Sequence, residues 1–152
     1  PEMRDALART EALRDRLLDM VSEDVRVFDG VMAAYGLPRG TDAEKALRTD
    51  AIQAALCEAT DVPLACAQAC AELIGVVRGV AEAGNKGVIS DAGVAVLAAE
   101  AALRSAALNV YINAGAIKDQ AFVASRMATL EHLLVESATA TEAIYDRVRR
   151  RL

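Results

Sequence analysis

Residues 84–115 read GNKGVISDAGVAVLAAEAALRSAALNVYINAG, and this stretch decides the fold. From Asp91 onward, Ala, Val and Leu occupy most faces of a helix, which predicts a central helix that is buried on several sides. Ser90 is the expected N-cap, and Asp91 puts a negative charge in the first turn, where it complements the helix dipole. We therefore expect a central helix from about Ser90 to Gly115.

The segment before this helix shows the same helical periodicity. Apolar residues separated by three or four positions predict a long first helix that ends near Tyr35, because Gly36 and Pro38 follow. Thr41-Asp42-Ala43-Glu44 matches a capping box and predicts a second helix from Thr41 to about Ala59.

Two further helices complete the prediction. Pro63 lacks a backbone N–H and is expected to break or kink the chain, so a third helix follows from about Pro63 to Ala83. Asp119 is expected to open a last helix. No segment alternates apolar and polar residues as a strand does. The prediction is an all-α, single-domain bundle of about five long helices.

Composition narrows the possible partners. The 152 residues fit one domain, and a net charge of −5 argues against nucleic acid as a partner. Asp91, Glu100 and Arg104 interrupt the longest apolar run, so no membrane span is expected. No signal-peptide pattern is present, and we expect a cytoplasmic protein.

The three cysteines predict no metal site. Cys66 and Cys70 are one helical turn apart, and the chain has a single histidine, His132. This spacing suits neither a disulfide nor a zinc site, so these two residues and Cys57 are interpreted as small reduced core residues.

Asp24 is the first candidate for chemistry. It falls inside the apolar stripe of the first helix, between Val21 and Val27. An unpaired buried carboxylate is costly, so it must shift its pKa, find a donor or face a cavity. An interhelical ion pair and a catalytic carboxylate are the two open interpretations.

The central helix carries further polar residues. Asn109 and Asn113 are four residues apart and share a face with Ser105. Asp91 and Asn109 are five turns apart, or roughly 27 Å on an ideal helix. One small ligand cannot reach both from a single helix, so other helices or a second subunit must complete a site.

At these residues the chain resembles the cyclodeaminase/cyclohydrolase family of one-carbon folate metabolism. The resemblance includes Asp24 with Phe28, and it continues in order along the chain. The further matching segments are LPRGTDAEKALRT from Leu37, ATDVPLA from Ala59, GN at Gly84, SDAGVAVL from Ser90 and ALNVYINA from Ala107.

The resemblance implies a helical, dimerising enzyme that hydrolyses 5,10-methenyltetrahydrofolate to 10-formyltetrahydrofolate. The alternatives are a formiminotetrahydrofolate cyclodeaminase that releases ammonia, and a non-catalytic folate-binding or dimerisation module. The substrate is the folate itself, and neither a metal nor a redox cofactor is expected. Residues 1–152 would form the family's domain without its N-terminal glycine-rich segment.

The resemblance also implies roles for individual residues. Asp24 matches the position of a carboxylate that the family uses in catalysis. The expected substrate-binding residues are Asn85, Ser90, Asp91, Asn109 and Asn113.

Overall fold

Four long α-helices make up most of the chain in this computed structural model, which describes residues 2–152 and side chains from Met3 onward. They are α1 (Glu2–Tyr35), α2 (Asp42–Ala83), α3 (Ile89–Ala114) and α4 (Gln120–Arg149), with a 3₁₀ turn at Lys86–Val88 before α3. No strand occurs in this part of the chain, so the predicted all-α class is confirmed.

The predicted caps of α2 and α4 are present. Thr41 accepts a hydrogen bond from the Glu44 backbone N–H at 3.2 Å, and the Glu44 carboxylate accepts one from the Thr41 N–H at 2.9 Å. Asp119 accepts hydrogen bonds from the backbone N–H groups of Ala121 and Phe122, both at 3.0 Å. Both helices therefore begin where the capping residues predict.

The predicted number of helices was wrong, because the chain does not break at Pro63. Pro63 is buried inside the continuous helix α2. Its missing N–H leaves the carbonyl of Ala59 without its helical donor. The side-chain amide of Asn113 on α3 donates to that carbonyl at 2.6 Å. A side chain from the neighbouring helix thus replaces the lost backbone hydrogen bond, and two predicted helices form one.

This exchange predicts coupled effects on stability. We expect Asn113→Ala to lower the free energy of unfolding by about 1–3 kcal/mol, because it leaves the Ala59 carbonyl without a partner. In a Pro63→Ala background, residue 63 has an N–H that can reach Ala59, so the cost of Asn113→Ala is expected to fall. A urea-denaturation double-mutant cycle measures the difference. Equal costs in both backgrounds would contradict this explanation of the unbroken helix.

Helix α3 begins one residue earlier than predicted, and Ser90 is not its N-cap. The Asn85 side chain accepts a hydrogen bond from the Gly87 N–H at 2.9 Å and caps the 3₁₀ turn instead. That turn continues directly into α3 at Ile89, so Ser90 and Asp91 both lie in the first helical turn.

The loop before α3 is held by Arg151, which follows α4. The guanidinium of Arg151 donates to the backbone carbonyls of Ala81, Glu82 and Gly84, the last at 2.9 Å. These are carbonyls at the end of α2, which have no donor within their own helix. Arg151 therefore fixes the position of the connection that carries Asn85.

Helix α2 is the centre of the bundle and packs against the other three helices. Leu13 on α1 lies in one apolar cluster with Val76 on α2, and Val27 lies in another with Ala59. Helices α1 and α2 are therefore antiparallel. Among the described residues, no α-carbon of α1 lies within 8 Å of an α-carbon of α3. A groove is left between these two helices, with α2 as its floor.

Helix α2 and the segment Lys86–Ala114 are each long and apolar enough to cross a membrane by length and composition, contrary to the sequence-based expectation. Both supply many of the buried core residues of the bundle. A core helix of a helical bundle and a membrane span share this composition.

Candidate functional site

The groove between α1 and α3 has a volume of about 540 Å³. Leu17 and Thr10 contribute from α1, and Cys70 and Leu73 belong to the floor on α2. The wall on α3 consists mainly of small side chains at helical spacing, namely Asp91, Ala92, Ala95, Ala98, Ala99 and Ala102. The small residues keep the groove open and make it strongly apolar along most of its length.

Asp24 follows the groove-lining residues of α1 along the same face of the helix. Thr10, Leu17 and Asp24 follow at intervals of seven residues, so they share one face of α1. The Asp24 side chain is exposed, and it forms no hydrogen bond or ion pair with any residue that the structure describes. The expectation of a buried carboxylate was therefore wrong, as was the interhelical ion pair. The structure leaves Asp24 exposed on α1, and its catalytic role stays a prediction.

Helix α2, which forms the floor, carries two neighbouring thiols. Cys66 lies one helical turn from the groove-lining Cys70. The pKa of Cys66 is lowered to about 7, chiefly because the Cys70 thiol donates a hydrogen bond to it, while the negative charge of Asp24 acts in the opposite direction. The pKa of Cys70 is raised by the same hydrogen bond and by burial. Both thiols lie on α2, and Cys70 is the one that lines the groove.

The polar residues of α3 are at opposite ends of the same wall. Asp91 lines the groove at the start of the helix. Ser105 and Asn109 continue the series Asp91, Ala95, Ala98 and Ala102 at spacings of three and four residues, so they face the same side. Asn109 is exposed. The structure thus separates Asp91 from Asn109, as the length of the helix predicts, and α1 brings Asp24 to the end where Cys66 lies.

The remaining predicted site residues have different surroundings. Asn85 and Ser90 are exposed around the start of α3, and the Asn85 side-chain oxygen is occupied by Gly87. Asn113 is half-buried, and its amide nitrogen is occupied by Ala59. Substrate binding by these residues stays a prediction, and the geometry of Asn113 accounts for its presence without a ligand.

The groove combines an apolar slot with two carboxylates, namely Asp91 in the α3 wall and Asp24 one heptad beyond Leu17 on α1. A carboxylate without a protein cation as partner can stabilise a cationic ligand and accept a proton from a water molecule. Apolar walls suit a flat organic ligand. Within residues 2–152 the structure contains no cluster of three or more side chains with metal-binding geometry.

Sequence reasoning missed the position of the thiols. Cys66 and Cys70 were interpreted as core residues, and Cys70 is indeed buried, whereas Cys57 and Cys66 are only half-buried. All three are free cysteines. The available signal was the heptad-like series Cys66, Cys70, Leu73, Val77 and Val80, which places Cys66 on the groove face of α2.

Comparison with known proteins identifies relatives of the whole chain. The sequence profile of formiminotransferase-cyclodeaminase matches residues 1–132. The methenyltetrahydrofolate cyclohydrolase of Methylorubrum extorquens is 53% identical over 148 residues, which cover 97% of this chain and 71% of that protein. The formimidoyltransferase-cyclodeaminase of Sus scrofa is 34% identical over 149 residues, covering 98% of this chain and 28% of that longer protein.

A solved structure shows the same fold. The crystal structure of formiminotetrahydrofolate cyclodeaminase from Thermotoga maritima superimposes with a TM-score of 0.76 at 32% sequence identity. The match covers 100% of this chain and 70% of that one. These findings confirm the resemblance that the sequence motifs indicated.

Proposed function

Because this chain belongs to the formiminotransferase-cyclodeaminase family, we propose that it hydrolyses 5,10-methenyltetrahydrofolate to 10-formyltetrahydrofolate. The observation that carries this proposal is the 53% identity to a methenyltetrahydrofolate cyclohydrolase over 97% of the chain. Identity to the formimidoyltransferase-cyclodeaminase of Sus scrofa over a similar length is 34%. The larger identity favours the cyclohydrolase reaction.

The groove chemistry suits this reaction. The bridging carbon of the substrate belongs to a cationic amidinium, and the exposed Asp24 carboxylate is available to stabilise that charge. Water adds to the carbon, and Asp24 accepts the proton that the water loses. The carbon–nitrogen bond to N5 then breaks, which leaves the formyl group on N10. The apolar walls of the groove would hold the flat pterin.

The polar residues of α3 would bind the substrate. Asn109 would lie toward the same end of the groove as Asp24, where its exposed side chain is free to orient the pterin or the developing formyl oxygen. Asn85, Ser90 and Asp91 lie at the far end, where they would contact a different part of the ligand. We propose no metal or redox cofactor, because carboxylate-assisted hydration of a cation requires neither.

We further propose that the protein is a cytoplasmic homodimer. Helix α1 exposes a row of apolar side chains spaced by three and four residues, which we call the α1 seam: Leu18, Val21, Val25, Phe28, Met32 and Tyr35. Phe28 is 60% exposed. Helix α3 also exposes apolar side chains, namely Leu97, Leu108 and Ile112. An apolar surface of this regularity suits a second copy of the chain, which would close the groove.

A cyclodeaminase reaction is the second candidate. The structural match is to a formiminotetrahydrofolate cyclodeaminase, and Asp24 could equally assist attack of N10 on a formimino carbon with loss of ammonia. A non-catalytic folate-binding or dimerisation module is the alternative of another class.

Two assays separate these candidates. Loss of methenyltetrahydrofolate absorbance at an enzyme-dependent rate, without ammonia release from the formimino substrate, is the expected result. Faster ammonia release would favour the cyclodeaminase. Binding of the folate without either conversion would favour the non-catalytic module and overturn the proposal.

A further inference from the structure

A second, smaller cavity lies between α2 and α4, on a different face of α2 from the groove. Its volume is about 110 Å³. Gly75 and Arg78 line it from α2, and Glu136 and Ser137 line it from α4, while the rest of its lining is small or apolar. The cavity shares no lining residue with the groove, so the folate reaction proposed above does not use it.

The Ser137 hydroxyl is the first sign of a ligand in this cavity. Ser137 is only 4% exposed, and its hydroxyl forms no hydrogen bond with any residue that the structure describes. Other hydroxyls within the helices donate to the carbonyl four residues before them, as Thr60 does at 2.7 Å and Ser105 at 2.8 Å. A buried hydroxyl without a partner lowers stability. The cavity therefore offers a hydrogen bond that the protein itself does not use.

Two opposite charges line the same cavity without pairing. Arg78 forms no ion pair with Glu136 or with any other carboxylate in the described part of the chain. Another arginine does bridge the same two helices, since Arg126 on α4 reaches Asp61 on α2 at 2.9 Å. A guanidinium and a carboxylate that face one cavity, each with donors or acceptors to spare, fit a ligand with charges of both signs.

We propose that this cavity binds a small zwitterionic amino acid of the size of glycine. The ligand carboxylate accepts hydrogen bonds from the Arg78 guanidinium and the Ser137 hydroxyl, and the ligand ammonium donates to Glu136. Glu136 contacts His132 through Oε2 at 3.3 Å, which leaves Oε1 for the ligand. This site does not depend on the proposed folate reaction.

The volume of the cavity limits the ligand to the smallest amino acids. A water molecule occupies about 30 Å³ in the liquid, so the 110 Å³ of the cavity correspond to about three or four water molecules. Gly75 keeps the α2 wall open, because a Cβ added there would meet no atom within 4 Å. A glycine inside a helix costs stability relative to alanine, and here it leaves room for a ligand.

The test is a titration of the full chain with glycine, followed by NMR of the backbone amides. We expect saturable shifts in α2 and α4 around the cavity, with a dissociation constant of about 1 mM or below. Acetate and methylammonium each carry one of the two charges and should bind about tenfold more weakly or worse. Leucine should not bind, because its side chain exceeds the cavity. No saturable glycine binding, or acetate binding as tight as that of glycine, would overturn the proposal.

Two glycine variants form a matched pair. Gly75→Ala and Gly79→Ala should both fold at least as well as the wild type, because an added Cβ meets no atom within 4 Å at either position. Gly75 lines the cavity and Gly79 does not. Gly75→Ala should therefore weaken glycine binding about tenfold, and Gly79→Ala should leave it unchanged. Equal effects of the two variants would contradict the assigned site.

The polar groups provide a second readout. Arg78→Gln should weaken glycine binding about tenfold, whereas Arg147→Gln, which removes another α2–α4 ion-pairing arginine away from the cavity, should not. Ser137→Ala should weaken binding several-fold without lowering the free energy of unfolding in the absence of glycine, because the hydroxyl has no protein partner. Unchanged glycine binding in Arg78→Gln or in Ser137→Ala would show that the ligand does not lie in this cavity.

Discussion

Replacing Asp24 with Asn is expected to lower kcat for methenyltetrahydrofolate hydrolysis by about 10²- to 10⁴-fold, the usual contribution of a positioned general base. The amide keeps the size of the side chain but can neither accept the proton of water nor offset the charge of the amidinium. Stability should change little, because Asp24 is exposed and has no ion pair within the described residues. Steady-state kinetics, with circular dichroism as a check on folding, measures both.

Asp19→Asn is the matched control. Asp19 is also an exposed carboxylate on α1, but it lies on the face turned away from the groove. We expect the kcat of Asp19→Asn to remain within about twofold of the wild-type value, because surface substitutions away from a site have small effects. If Asp24→Asn keeps the same turnover as Asp19→Asn, the catalytic role of Asp24 is wrong.

Replacing Phe28 with Lys is expected to convert the protein from a dimer of twice the 16.0 kDa chain mass into a monomer. Phe28 lies in the middle of the α1 seam, and burying an unpaired ammonium there would cost several kcal/mol. We expect turnover to fall at least tenfold with the loss of the dimer, because the groove would lose its cover. Light scattering coupled to size-exclusion chromatography measures the mass.

Ala12→Lys adds the same charge on the opposite side of α1, where Ala12 is exposed. This variant should stay dimeric and active. A wild-type protein that is already monomeric, or a Phe28→Lys variant that remains a dimer, would show that the α1 seam is not the interface.

Much of the fold follows from local signals in the sequence. The capping box of Thr41 and Glu44 predicts the start of α2, and Asp119 predicts the start of α4. Both predictions are correct because a cap needs only residues within the same turn. Pro63 misled the prediction because the compensating group, Asn113, is 50 positions away along the chain and acts only after α2 and α3 have packed. Ser90 misled it because Asn85 caps a short turn that precedes the helix.

The site was less predictable than the fold. The apolar stripe of α1 made Asp24 look buried, since heptad spacing shows which residues share a face but not whether another helix covers that face. The gap between α1 and α3 is a tertiary feature that no local pattern in either helix predicts. The motif resemblance identified Asp24 without any knowledge of the groove.

The structure of the Asp24→Asn variant in complex with methenyltetrahydrofolate, which the slow variant should leave unhydrolysed, tests the proposed site most directly. We predict that the pterin lies in the groove between α1 and α3, with the amidinium carbon next to residue 24 and Asn109 in contact with the ligand. A folate bound outside this groove, with residue 24 facing solvent, would contradict the proposed catalytic site.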